Sequence, residues 1–463
     1  MFDFTGPAGV IWTAAGLFYC LILLLISLRS TYFTICLLLG IVTFGNFLVE
    51  YQILPEKTNW LTEPAIFLLF LKSMLEKKVP PKQYRLFFPY TIFFFCIFTA
   101  GSIIVNNSSI LGTLLCLRLM FRYVLLFIAL INLDLSNRDV FKLNRLVAGL
   151  VLIQVPVAIV KFFLYGQGEM AVGTYAGVHG GELSTILPLA AIPFAIGYYL
   201  QHKKSLLYIL VGIAFVVYSV IGGKRAFIFY LIPLFVYLFF VFRRHIVPAL
   251  QARELILGVT FLLGTFFFIT NSIDTLNPNK VGKWLGNRNR QGYGAIIDFV
   301  LQYNTKESEG GISQGRISST LKTFEIISKE GILGLAFGLG PGTLMESRFS
   351  DSSRIQDVAI GYGKTEFNWT LYQFGIFATI IYFMIPIRLL LFTGHHHSSF
   401  QDGYWQAFFF GLNAFCFTMI LIGLTYSFTM LHDFLPCIFL YLAAIAVKKT
   451  SMQDRLSPNT LYT

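Results

Sequence analysis

Charge is what this sequence has least of. Lys, Arg, Asp and Glu make up 13% of its 463 residues, about half the share found in a soluble domain. With 56% of residues hydrophobic, that scarcity excludes a water-soluble globular chain. Cysteine is sparse as well. Cys20, Cys36, Cys96, Cys116, Cys416 and Cys437 lie inside apolar segments with no CxxC spacing, so neither a disulfide framework nor a thiolate metal site is indicated. No internal repeat is visible, and with it goes the inverted-repeat signature of many secondary transporters. No basic stripe with interleaved aromatics occurs outside the apolar segments, so the net charge of +12 is poor evidence for nucleic acid. The first apolar segment lacks a basic leader and a small-x-small cleavage site, and reads as a retained span rather than a signal peptide.

What is present is a succession of apolar windows of about 17 to 25 residues, the length that crosses a bilayer as helix. They fall near 8–27, 31–49, 59–76, 87–106, 110–131, 146–165, 182–200, 205–222, 226–242, 255–271, 367–391, 404–427 and 430–447. Backbone groups in lipid must satisfy one another locally, so these are helices. The expectation is an all-α integral membrane protein with about thirteen spans, or twelve, and one large loop holding short amphipathic helices. The organisation reads as a helical bundle over 1–271, a loop over 272–366, further spans over 367–450 and a tail over 451–463.

Basic residues concentrate in alternate connections: Lys77 to Arg85, Arg138 to Arg145, His202 to Lys204, Arg243 to His245, and the tail from Lys448. The positive-inside rule makes these cytoplasmic. The other connections, the long loop included, then face outward. The same bias, with juxtamembrane contact to anionic lipid, accounts for most of the net charge. His395, His396 and His397 fall on the inner side, where a solvated loop explains them better than a metal site does.

Some charges break the pattern. Arg118 and Arg122 lie four apart on one face of the fifth span. A charge at membrane depth faces a cavity or a partner. The two arginines therefore either line a polar cavity for an anionic head group or pair with carboxylates and snorkel. Gly222-Gly223-Lys224-Arg225 turns between two spans on the outer side, where basic residues are disfavoured. A guanidinium fork suits phosphate oxygens, so Arg225 and Lys224 are candidates to bind the phosphate of a lipid carrier. The alternative is an interfacial anchor. His179 and Glu182, three apart at the start of the seventh span, either touch substrate or cap the helix.

The long loop carries the most information. Arg288 and Arg290, with Lys280, Lys283 and Trp284, suit anionic head groups or sugar phosphates. From Arg316 to Lys329 apolar residues recur at helical spacing, consistent with a helix lying on the outer interface. Gly338-Leu339-Gly340-Pro341-Gly342 forces irregular backbone, and the N–H groups of Gly340 and Gly342 are candidates to hold an anion. Lys364, Glu366, Trp369 and Gln373 gather at the start of the next span. Glu366 reads either as a base toward a sugar hydroxyl or as a favourable helix N-terminal charge.

With these residues in view, the chain resembles the O-antigen ligase / O-antigen polymerase (Wzy-like) superfamily over about residues 170 to 390. The resemblance rests on the basic turn Gly223-Lys224-Arg225, the pair Gly315-Arg316, the Gly338–Gly342 run, and the helix from Lys364-Thr365-Glu366 to Gln373-Phe374-Gly375. Family ligases carry a histidine where Lys364 aligns, and its absence favours a polymerase over a ligase. The resemblance implies a GT-C-like architecture in a bacterial plasma (inner) membrane. It implies metal-independent glycosyl transfer from a polyprenyl-diphosphate-linked oligosaccharide, with no cofactor. Arg225 and Arg316 would hold the diphosphate and Glu366 would serve as base. Membrane lipids, a chain-length regulator and other polysaccharide assembly proteins would be its partners. Ligase-type transfer to a lipid or protein acceptor is the first alternative, and transport of the same lipid-linked sugar is the second.

Overall fold

The computed structural model describes residues 18–19, 21–51, 53, 60–76, 82–175, 177–201, 205–224, 226–249, 264, 315–343, 365–430 and 433–456. All regular structure among them is helical. In chain order the helices are α1 Thr31–Glu50, α2 Thr62–Leu75, α3 Lys82–Asn106, α4 Ile110–Asn132, α5 Asn137–Leu152, α6 Gln154–Tyr165, α7 Gly177–Gln201, α8 Leu206–Ile221, α9 Ala226–Ala249, α10 Arg316–Lys329, α11 Gly331–Phe337, α12 Glu366–His396, α13 Gly403–Thr425 and α14 Phe434–Leu456.

Eight helical stretches among the described residues are long and apolar enough to cross a membrane. α5 and α6 form one such stretch, joined by a single turn at Ile153. The chain is an all-α membrane protein. The expected span at 255–271 lies outside the described residues except Gly264, and the one at 8–27 is described only in its second half.

Local sequence explains where the helices begin. Ser109, Ser136, Thr365 and Asp402 each turn a side-chain oxygen onto a backbone N–H of the first turn that follows, at 3.1, 3.1, 3.1 and 2.9 Å. Such caps satisfy donors that the helix itself leaves open. Phenylalanine supplies much of the packing between helices. Phe95 of α3 meets Phe121 of α4 and Phe374 of α12 at 5.3 and 5.5 Å between ring centres.

Among the described residues, the basic connections around Leu133 to Phe141, Phe242, His397 and Lys448-Lys449 meet at one end of the bundle. Lys448 of α14 donates to the carbonyl of Leu133, which ends α4. Lys449 lies 5.0 Å over the ring of Trp405, Phe141 of α5 packs on Trp405, and Phe242 of α9 packs on His397. The opposite, far end gathers the starts of α7 and α9 with the ends of α8 and α13.

The 367–391 segment, read as one straight span, is instead two helices. Gly375 takes φ 77°, ψ −177° and breaks α12. The Tyr382 hydroxyl lies 2.5 Å from the Glu366 carboxylate, sixteen residues back. In a continuous helix those residues would be about 24 Å apart along the axis. The Glu366–Phe374 limb is therefore folded back beside the long limb, which puts Glu366 at the depth of Tyr382 and Gly375 nearer the far end.

The glycine-rich run is shaped to hold that fold-back. The break frees carbonyls at Tyr372 and Gln373. Leu339 N–H takes the first at 2.8 Å, and Gly340 N–H takes the second at 3.0 Å. The Ser102 hydroxyl adds a bond of 3.0 Å to the Gln373 carbonyl. A Cβ on Gly338 would sit 2.6 Å from the Gln373 carbonyl carbon and the Gly375 nitrogen. Both glycines also hold positive φ, which costs an L-residue about 1–2 kcal/mol before any clash. Gly375→Ala is expected to destabilise by about 2 kcal/mol or more, read as an earlier loss of monodisperse protein on heating in detergent. An unchanged melting curve would show that the break is tolerant.

Candidate functional site

At the far end, polar side chains from separate segments gather in two groups that adjoin at Gly181 and Glu182. Lys224, just after α8, makes an ion pair with Glu169 of the 3₁₀ turn Glu169–Ala171. Gly181 lies beside that pair: a Cβ there would be 2.9 Å from the Lys224 nitrogen and 3.0 Å from Glu169 Oε1. The next residue, Glu182, accepts the hydroxyl of Ser427. The residue before Ser427, Tyr426, offers its carbonyl to Arg316 Nε at 2.9 Å and its ring face to the guanidinium at 4.3 Å. Tyr230 closes the cluster, 5.7 Å from the Tyr426 ring and 2.9 Å from the Thr425 hydroxyl. Lys224, Glu169, Glu182, Arg316 and Tyr426 are all partly exposed, as a polar surface open to a ligand requires.

Each of these side chains is aimed by the end of an element. Arg316 opens α10, with Gly315 in extended conformation before it. Glu182 lies in the first turns of α7. Tyr426 and Ser427 follow α13, both with N–H groups bonded back to the Ile422 carbonyl, at 2.8 and 3.1 Å. α10 itself lies across the fold-back, with Phe324 against Phe367 at 6.4 Å between ring centres. On its outer face Glu325 accepts from Lys329 and Lys322 at 2.8 and 2.9 Å. These bonds hold its carboxyl down at about 2, so that stripe stays charged at any physiological pH.

Glu366 takes a different place from the one expected of a base. It is fully buried. Its carboxylate accepts from the Tyr382 and Thr429 hydroxyls and from the Thr429 and Met430 N–H groups. Four donors saturate it, and it joins the folded-back limb to the segment after α13.

Gly340 and Gly342 also differ from expectation. Their N–H groups point to the Gln373 backbone oxygen and the Gln373 Oε1, the latter at 2.7 Å. Already spent on the protein, they form no nest for an anion.

Arg118 and Arg122 are paired with carboxylates. Arg118 Nε lies 2.5 Å from Glu63 Oε1, with Trp60 under its guanidinium at 4.1 Å. Arg122, 7% exposed, pairs with Asp433. A third deep pair joins Lys161, 1% exposed, to Glu50 at 2.8 Å. Breaking a buried pair leaves one charge uncompensated and costs about 3–5 kcal/mol, whereas apolar replacement of both partners is often nearly neutral. Asp433→Leu is accordingly expected to lower thermal stability strongly, and Arg122→Met with Asp433→Leu to recover most of it. A double variant as unstable as the single one would mean that the pair itself is not the source.

Arg225, Lys364, Arg288 and Arg290 lie outside the described residues, and of His179 only its place in the first turn of α7 is described. The sequence reading missed Glu169, Tyr230, Tyr426, Ser427 and Asp433. A signal was present in Thr425 to Asp433, a polar interruption too long for a plain turn. Among the described residues no three His, Cys, Asp or Glu side chains are placed to hold a metal ion.

No family model matches this chain, and no curated protein matches it. The functional reading rests on the residues themselves.

Proposed function

We propose that the chain is a glycosyltransferase that polymerises polyprenyl-diphosphate-linked oligosaccharide repeat units at the outer face of a bacterial plasma membrane. The observation that carries this reading is the far-end cluster, where Lys224 lies beside Gly181 while Glu182 and Arg316 meet the consecutive residues Ser427 and Tyr426. Cations there bind the diphosphate and neutralise the charge that develops on it as it leaves.

The proton acceptor we assign is Glu182 rather than Glu366, because Glu182 is partly exposed and Glu366 is buried and saturated. Glu182 takes the proton of an acceptor sugar hydroxyl. The hydroxyl oxygen attacks the anomeric carbon, the bond from that carbon to the phosphate oxygen breaks, and the electron pair leaves on the polyprenyl diphosphate. Holding both lipid-linked sugars on one surface makes the step effectively intramolecular. GT-C-like architecture belongs to this proposal, as does the outward orientation, which the positive-inside rule supports through the described basic connections at the opposite end.

A transport reading would use the broken helix α12. In transporters the carbonyls exposed at such a break coordinate ions or substrate. Here those of Tyr372 and Gln373 are bonded by Leu339 and Gly340, which favours transfer over transport. A strain deleted for the gene tests the choice. It should accumulate single lipid-linked repeats at the outer face and make no polymer. Finished polymer left on its lipid carrier would mark a ligase, and single repeats retained on the cytoplasmic side would mark a transporter.

A further inference from the structure

A second site lies away from the cluster, in the half of the bundle nearer the basic end. α5, α7, α8, α13 and α14 enclose a cavity of about 320 Å³. Along α7 its wall runs from Leu187 to Tyr198, eleven residues or about 16 Å of helix. That is about half the hydrocarbon thickness of a bilayer, the depth of one leaflet. The wall is apolar, with Ala191, Phe194, Phe215 and Leu435 facing the space. Water gains few partners there, and an empty apolar cavity loses dispersion contacts on every side. At the basic end the lining includes Arg145, which is exposed and makes no ion pair with any described residue.

We infer that this cavity binds one acyl chain of an anionic phospholipid from the leaflet at the basic end, with Arg145 at its phosphate. Three observations select that occupant. The depth matches a single leaflet, the wall offers hydrocarbon contact, and an exposed cation with no ion partner among the described residues stands at its basic end. A zwitterionic lipid meets the first two conditions and gains less from the third, since each basic residue near a membrane surface favours anionic lipid about fivefold. The site is independent of the far-end cluster and of the reaction proposed there.

The test uses the purified full-length protein in phosphatidylcholine nanodiscs doped with phosphatidylglycerol bearing a photoactivatable group at mid-chain. A second preparation carries the same group on phosphatidylcholine. After irradiation, labelling of α7 and α8 peptides is compared with that of Phe239 and Phe240, which lie exposed on α9. The expected result is enrichment over the α9 reference, about fivefold greater for the anionic probe. Arg145→Gln should reduce the anionic probe to the level of the zwitterionic one, and Ala191→Trp should abolish the enrichment with both. Arg145 is exposed, so its variant keeps the test open if Ala191→Trp fails to fold. Labelling of α7 and α8 no greater than that of α9 would overturn the assignment. So would equal labelling by both probes in the wild type, or displacement by a small mole fraction of polyprenyl phosphate, which would make the occupant the carrier chain.

Discussion

Replacing Arg316 with alanine is expected to abolish polymer while leaving the protein in the membrane at its normal level. Arg316 contributes little to packing: it opens α10 and is partly exposed. What it has is orientation. One N–H is committed to the Tyr426 carbonyl, and the plane lies over the Tyr426 ring, so the guanidinium is held before any substrate arrives. Removing one preorganised group that stabilises developing charge typically costs about 10²–10³ in rate. Arg316→Lys should recover only part of the activity, because an ammonium keeps the charge and loses the planar fork. The check is the amount and length of glycan on a gel, beside an immunoblot of the membrane fraction. Normal polymer from Arg316→Ala would remove Arg316 from the site.

The second large effect separates two glutamates. Glu182→Gln should leave the protein folded, since an amide oxygen still accepts from the Ser427 hydroxyl, yet it removes the proton acceptor and with it the polymer. Glu366→Ala should act through stability. It strips the acceptor from two hydroxyls and two N–H groups, all in the interior. Each buried group left unsatisfied costs about 1–3 kcal/mol, so the folded protein should be largely lost. The measurements are melting temperature in detergent and polymer formation in cells. A stable but inactive Glu366→Ala, with an active Glu182→Gln, would return the base to Glu366.

The membrane class was legible because hydropathy over about twenty residues is a strong signal; the caps at Ser109, Ser136, Thr365 and Asp402, which set four of the helix starts, were not read. Arg316 at the head of α10 was legible because a periodic apolar stripe follows it directly. The fold-back at Gly375 was not, since a glycine inside an apolar run changes hydropathy little and its φ is set by Gly338 packing against it. The same interaction explains the misreading of Gly340 and Gly342. Irregular backbone does present N–H groups, but a broken helix elsewhere in the chain can claim them before a ligand does. Partner choice was likewise hidden. The sequence left Arg118 and Arg122 open between a polar cavity and carboxylate partners, and only the packing of α2 and of the segment before α14 shows the pairs with Glu63 and Asp433. Lys161 passed unnoticed because its run, Gln154 to Tyr165, is otherwise apolar enough to hide one charge.

The most direct test of the central claim is reconstitution. The purified protein in nanodiscs would be incubated with lipid-diphosphate-linked repeat units, and the products separated by length on a gel. The account predicts a ladder of longer lipid-linked glycans that is lost with Arg316→Ala and with Glu182→Gln. No ladder, together with movement of the labelled lipid across the membrane of a proteoliposome, would contradict it and make the chain a transporter.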